Sequence, residues 1–244
     1  MTDFTIALAG RNIAISAMFD TTRRYCEAYL TEGKADFSVT VTPADIDFER
    51  EKSRREDELE GIPVRQFSDR YLETLAVYRK IADWMLDFDT LLFHGSAISV
   101  DGQGYLFTAK SGTGKSTHTR LWRQIFGDRA VMVNDDKPLL RVLEDQVLVC
   151  GTPWDGKHRI STNTCVPLKG ICILNRAEEN SIVPVSISKV LPLLLQQSYR
   201  PSDPVALAKL LSLLEKVSKR TGLYSLGCNM EPEAALVAYN GMKG

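Results

Sequence analysis

The chain is poor in histidine and tryptophan, with three of each, and it has no surplus of either charge: 30 basic side chains face 31 acidic ones, for a formal net charge of −1. A chain so balanced generates no general field for nucleic acid or for an anionic bilayer, so neither is expected as a partner. No apolar run is long enough to cross a membrane. The densest one, residues 187–195, is interrupted by Ser188, Lys189 and Pro192. The opening Met1-Thr2-Asp3-Phe4 lacks the basic start and apolar block of a secretory leader, and a cytoplasmic location is the expectation. The five cysteines (Cys26, Cys150, Cys165, Cys172 and Cys228) are odd in number and include no CxxC pair. Reduced thiols are therefore expected, without zinc or a disulfide framework.

What is present is ordinary in bulk and specific in detail. Hydrophobic residues make up 44% and charged residues 25%, which places the chain among globular proteins able to bury a sizeable core. At 244 residues it forms one large domain or two unequal ones. The sequence predicts a hairpin from the apolar runs 4–9 and 12–17, a short helix over 21–30 and a strand over 36–41. Residues 45–60 mix Asp, Glu, Arg and Lys at helical spacing and read as a solvated helix face. From 67 to 88, Tyr71, Leu72, Leu75, Ala76, Tyr78, Ile81, Ala82 and Met85 recur every three or four positions, the pattern of an amphipathic helix. This divides a small α+β N-terminal part, residues 1–88, from a nucleotide-binding part, residues 89–244.

The most informative stretch is Ser111-Gly112-Thr113-Gly114-Lys115-Ser116-Thr117. An apolar strand (Tyr105, Leu106, Phe107) enters it, and a helical pattern (Leu121, Trp122, Ile125, Phe126) leaves it. Strand, glycine-bearing loop and Lys-Ser at a helix start make the layout of a phosphate-binding P-loop, or Walker A motif. Loop N–H groups would face phosphate oxygens, Lys115 would reach the terminal phosphates, and the Ser116 hydroxyl would ligate magnesium. The position that usually opens the motif with Gly holds Ala109. If the loop there needs a positive φ, Ala109 is strained.

A second motif, Val131-Met132-Val133-Asn134-Asp135-Asp136, ends an apolar strand in adjacent carboxylates. Phosphoryl transfer needs one carboxylate at the metal and often another for the acceptor's proton; a plain polar turn is the alternative. A third, Gly151-Thr152-Pro153-Trp154-Asp155-Gly156-Lys157-His158-Arg159, is either a clamp in which Lys157 and Arg159 hold phosphate or a surface turn anchored by Trp154. Hairpin signals stand on both sides of the first two motifs: strand 91–100, broken near His94-Gly95 and turning at 101–104, and strands 139–143 and 146–149. The sheet is therefore predicted to be mixed rather than doubly wound. Further on, strands are predicted at 166–174, 182–187 and 223–226, and helices at 190–198 and 204–219. The second of those helices buries Leu207, Leu210, Leu211, Leu214 and Val217, and Asn229 caps a last helix.

The 111–117 loop together with Asn134-Asp135-Asp136, and the His94-Gly95 pair ahead of them, resembles the HPr kinase/phosphorylase and ATP-dependent phosphoenolpyruvate carboxykinase superfamily. The Thr152-to-Lys157 loop is similar to smaller HPr kinase-like members. The resemblance implies an α/β fold whose P-loop core lies in a mixed, largely antiparallel sheet flanked by helices. It implies an ATP- and Mg2+-dependent kinase that moves a γ-phosphoryl group to a hydroxyl of a protein, peptide or small molecule. Residues 111–117 (Ser111, Gly112, Thr113, Gly114, Lys115, Ser116 and Thr117) would bind the nucleotide. Ser116 and Asp136 would hold the metal, Asp135 would act as general base, and His94 would sit near the transferred phosphate. The two aspartates can exchange roles, and His94 can equally be a strand histidine. A regulatory nucleotide-binding module without catalysis is the competing function, and a homo-oligomer is compatible with the chain.

Overall fold

The computed structural model describes residues 1–243 and divides them into two compact units, Met1–Trp84 and, from Met85 on, the remainder.

In unit 1, β1 (Thr2–Leu8) and β2 (Arg11–Ala17) form the expected antiparallel hairpin. Ala9 and Gly10 at its tip both take positive φ, 47° and 73°, as a tight turn between twisted strands requires. Strict alternation sends Phe4, Ile6 and Leu8 of β1, and Ile13, Ile15 and Ala17 of β2, to the core. A short helix α1 (Asp20–Tyr25) follows, and β3 (Phe37–Thr40) then adds parallel to β2. Helix α2 (Pro43–Glu60) starts on a capping box between Thr42 and Asp45, with proline in its first turn, and stops at Gly61 in the left-handed region. Its charge mix is mostly solvated, as in the pairs of Arg54 and Arg55 with Glu51 at 2.7 and 2.8 Å. Two of its carboxylates are buried: Glu49, paired with Arg79, and Asp57, 2.6 Å from Arg65. Helix α3 (Asp69–Met85) buries Leu72, Ala76, Ile81 and Met85, whereas Tyr71, expected on the same face, is exposed. Its Glu73 is fully buried and accepts from the Met18 and Phe19 backbone N–H groups and the Thr22 hydroxyl, which ties α3 to the entry of α1.

Unit 2 is one nine-stranded sheet with helices packed on it. Its strands are β4 (Thr90–Leu92), β5 (Ser96–Val100), β6 (Gln103–Thr108), β7 (Ala130–Asn134), β8 (Leu139–Val142), β9 (Val147–Cys150), β10 (Cys165–Arg176), β11 (Ser181–Pro184) and β12 (Gly222–Cys228). The path runs β4-β8-β9-β10-β6-β5-β7, with β12 on β10 and β11 on β12. Among the described residues of this sheet, the β10–β6 and β10–β12 pairs are parallel and the other pairs antiparallel. The mixed sheet anticipated from the hairpin signals is thus what forms. One core packs α5 (Ile187–Gln197) and α6 (Pro204–Arg220) against β4, β8 and β9. Another packs α4 (Lys115–Phe126) and α7 (Glu233–Met242) around Trp122 and Phe107.

Three expectations change. On α6 the buried side chains are Leu210, Leu213, Leu214 and Val217, so Leu213 takes the place expected of Leu211, which is 41% exposed. Asn229 does not cap α7: that helix begins at Glu233, and the Asn229 side chain instead accepts from Glu231 N at 3.0 Å and donates to the Glu178 carbonyl at 2.9 Å. Cys150 and Cys165 are not free thiols. They stand opposite each other in the β9–β10 register and are joined by a disulfide, while Cys26, Cys172 and Cys228 are outside any disulfide.

Candidate functional site

The site candidates gather where β6 and β7 end. Residue 109 leaves β6, the chain rises through residues 110–114, and α4 starts at Lys115. Gly112 and Gly114 take φ of 75° and 119°, conformations that a side chain disfavours, so glycine is needed at both. Ala109 is not among the residues with positive φ. It is buried, and its carbonyl accepts from Lys115 Nζ at 3.2 Å, so alanine sits there without strain. Arg176, at the end of β10, donates to the Gly112 carbonyl at 2.7 Å and braces the loop from its other flank.

Burial pulls the Lys115 ammonium below the usual lysine value, and the charges of Asp136 and Asp135 oppose that fall. The glycine loop and the acidic turn are thereby within each other's field. Asp135 is 6% exposed, and its Oδ1 accepts from the Ser96 hydroxyl at 2.6 Å. Ser96 lies 2.9 Å from Thr119 Oγ1 on α4, so β5 and α4 both support this carboxylate. Asp136 Oδ1 stands 3.3 Å from His94 Nε2. Burial pushes the Asp136 carboxyl up, but the His94 hydrogen bond and the Lys137, His94 and Lys115 charges outweigh it and hold Asp136 below the usual carboxylate range. His94 occupies the break between β4 and β5, where its own N–H bonds the Gln197 carbonyl at 2.6 Å and the next residue's N–H bonds the Asp136 carbonyl at 2.9 Å.

Several contributors escaped the sequence reading. Asn134 is fully buried. Its side-chain Oδ1 accepts from Asp136 N and Lys137 N at 2.9 and 2.7 Å, and its side-chain Nδ2 donates to Thr152 O and Oγ1, both at 3.0 Å. An Asx turn of this kind is signalled by asparagine at the end of a strand. Ser96, Thr119 and Arg176 carry no such signal, because their partners are distant in sequence. The third motif packs on the same turn. A Cβ on Gly151 would lie 2.0 Å from the Thr162 carbonyl and 2.7 Å from that of Val133, so only glycine lets the three backbones meet. A Cβ on Gly156 would lie 3.3 Å from Asp136 Cβ. The predicted clamp cations are placed differently from each other. Arg159 turns back on its own loop, donating to the Pro153 carbonyl at 3.1 Å and standing 3.5 Å from Asp155 Oδ1, whereas Lys157 is exposed at the loop tip. Ser116 and Ser111 are exposed on the rim, and Thr113 and Thr117 are half-buried there.

On the opposite flank of the glycine loop lies a cavity of about 510 Å³, bounded by α4 and the ends of β10 and β12. Leu121, Leu174 and Met230 give it apolar walls, and His118 and Asn175 bring polar atoms to it. His118 is 3% exposed, and burial lowers it to about 4. Its Nε2 accepts from Trp122 Nε1 at 3.0 Å.

No family model matches the chain, and no curated protein sequence matches it. A solved structure described as the Hpr(Ser) kinase/phosphatase from Coxiella burnetii aligns over 63% of this chain and 99% of that one, at 15% identity and a TM-score of 0.33. At that score the likeness carries no argument about this chain.

Proposed function

We propose that unit 2 is an ATP-binding, Mg2+-dependent phosphotransferase that moves the γ-phosphoryl group to a hydroxyl of a protein, peptide or small-molecule acceptor. The observation that supports it is the meeting of Lys115, at the mouth of the glycine loop, with the Asp135 and Asp136 charges at the end of β7. A glycine loop running into a helix start suits a phosphate chain, and Lys115 suits its terminal groups.

Among the described residues no cluster of three or more His, Cys, Asp or Glu groups forms a metal cage. Magnesium does not need one, since it takes one or two carboxylates and completes its shell with water and phosphate oxygens. The exposed Ser116 hydroxyl and the anionic Asp136 are hard oxygen donors of that kind. Bound there, magnesium would neutralise charge on the phosphate oxygens. Asp136 is then the cation ligand, and Asp135, aligned by Ser96, is the proton acceptor. His94, paired with Asp136, orients that carboxylate.

The test is transfer of labelled γ-phosphate from ATP into fractions of a native lysate, with ATP binding measured in parallel. Asp135→Ala is expected to lower transfer by about 10²–10⁴-fold while ATP affinity changes little. Full transfer by that variant removes Asp135 as the base. Binding by the wild-type chain without transfer to any fraction favours a regulatory module instead.

A further inference from the structure

The loop that holds the acidic turn is itself held by a bond that can be opened. Residues 151–164 leave β9 and return to β10, and on the way they grip the end of β7. Thr162 N bonds the Val133 carbonyl at 3.3 Å, and Lys137 N bonds the Trp154 carbonyl at 3.2 Å. Thr152 Oγ1 accepts from the Asn134 side chain at 3.0 Å and donates to the Lys137 carbonyl at 2.8 Å. Val133 and Lys137 flank the two carboxylates, so a loop bonded to both bears on where Asp135 and Asp136 stand.

The disulfide is a large part of what joins the two arms of this loop. β9 and β10 pair over three positions, Cys165 with Cys150, Val166 with Val149 and Pro167 with Leu148, and Pro167 has no N–H to give that ladder. Beyond the cysteines, Gly151 N bonds the Thr164 carbonyl at 2.9 Å. The two cysteines are 15 residues apart, so opening their bond returns to the loop the freedom that a ring of that size had removed. Cys165 is exposed, whereas Cys150 is fully buried. A thiolate arriving from solvent therefore meets the Cys165 sulfur and expels the Cys150 one.

We propose that the Cys150–Cys165 bond is a thiol-sensitive latch on the candidate site. A dithiol opens it, residues 151–164 let go of the end of β7, and Asp135 and Asp136 lose their fixed arrangement. In the exchange, one thiolate of the dithiol bonds Cys165 Sγ as the protein's sulfur–sulfur bond breaks, and Cys150 leaves as a thiolate and takes a proton. The second thiol of the reductant then attacks the first, and Cys165 leaves in the same way. The protein gains two electrons and two protons, and the reductant ends as a cyclic disulfide. Control of phosphoryl transfer by the latch rests on the phosphotransferase reading of unit 2; control of the turn does not.

Amide 15N relaxation of the oxidised chain and of the same chain in dithiothreitol tests the turn by itself. Order parameters of Asp136, Lys137 and Thr162 should fall from about 0.85 to below about 0.6 on reduction, while those of Leu106 and Phe107 on β6 stay near 0.85. The double variant Cys150→Ser, Cys165→Ser should show the reduced pattern with or without dithiothreitol. Reduction of the wild type should also lower transfer of labelled γ-phosphate by about 10²-fold, the cost of a small misplacement of catalytic groups. A bond that dithiothreitol leaves intact in the folded chain, read by alkylation and mass spectrometry, overturns the latch. So do order parameters that do not change, that fall across the whole sheet alike, or that still respond to dithiothreitol in the double variant. A loosened turn with undiminished transfer overturns its control of the reaction. If no fraction is phosphorylated in either state, the phosphotransferase reading falls, and the order parameters still decide the latch.

Discussion

The glycine loop and the acidic turn face each other across the same site and are built in opposite ways. Residues 111–114 make few bonds to the rest of the protein. Gly112 and Gly114 hold unusual torsions, Thr113 N bonds the Lys110 carbonyl at 3.3 Å, Arg176 bonds the Gly112 carbonyl, and Lys115 bonds the Ala109 carbonyl just ahead of the loop. Residues 134–137 are bonded throughout: Asn134 alone engages four backbone or hydroxyl groups, Thr152 returns a bond to Lys137, and Ser96 and His94 reach the two carboxylates. The difference follows from electrostatics. Donors meant for an anion must be left unspent until it arrives. Two adjacent carboxylates repel each other and keep one arrangement only when their surroundings impose it.

The comparison makes a prediction about which property each side controls. The largest effect is expected at Lys115. Lys115→Met should cut phosphoryl transfer by about 10³-fold, as loss of a charge-stabilising donor does. Because the ammonium is held partly desolvated, the variant should unfold at the same urea concentration as wild type or a higher one. A large stability loss there breaks the contrast. The acidic side should behave the other way. Replacing both Cys150 and Cys165 by Ser opens the loop that packs on the turn and should cost about 3 kcal/mol in urea unfolding, the loop-closure value for a ring of this size. Unfolding of the wild type with a dithiol reductant should show the same shift. Asn134→Ala strands several buried backbone groups and should cost about 2 kcal/mol, with tripolyphosphate affinity nearly unchanged. The smallest effect is a control in unit 1. Burial raises the Asp45 carboxyl, but Lys80 and the Thr42 cap outweigh it and hold it at about 2. Its contribution is complete above the unfolded value of about 3.9 and is lost as pH falls through the folded one. The urea midpoint of wild type should therefore drop more between pH 4 and pH 2 than that of Asp45→Asn.

The same two regions show how far local sequence carries. The glycine loop was legible because its meaning is local: an apolar strand, glycines where φ turns positive, and a helical period beginning at Lys115. The strand end at Asp135-Asp136, the break at His94-Gly95 and the hairpins that make the sheet mixed were legible for the same reason. What holds the acidic turn was not. Ser96 meets Asp135 through the β5–β7 pairing, and Thr152 meets Asn134 through a loop that returns from β9. The Cys150–Cys165 disulfide was misjudged because its formation depends on the β9–β10 register, and cysteine spacing does not encode that register. His118 and Trp122, four residues apart on α4, make a contact of the same local kind as the glycine loop. Ala109, which looked like a defect in the motif, proves harmless because the sharp torsions fall at Gly112 and Gly114.

The loop between Cys150 and Cys165 has a practical use. Its ends are fixed by the disulfide and by the bond from Gly151 N to the Thr164 carbonyl at 2.9 Å, while Gly156, Lys157 and His158 at its tip are exposed. Loop tips of that kind are where inserted sequence is tolerated. A short peptide spliced between Lys157 and His158 would be held in a ring beside Asp136. That makes this loop a port for grafting peptide sequences or reporter groups next to the carboxylates without rebuilding the sheet beneath them.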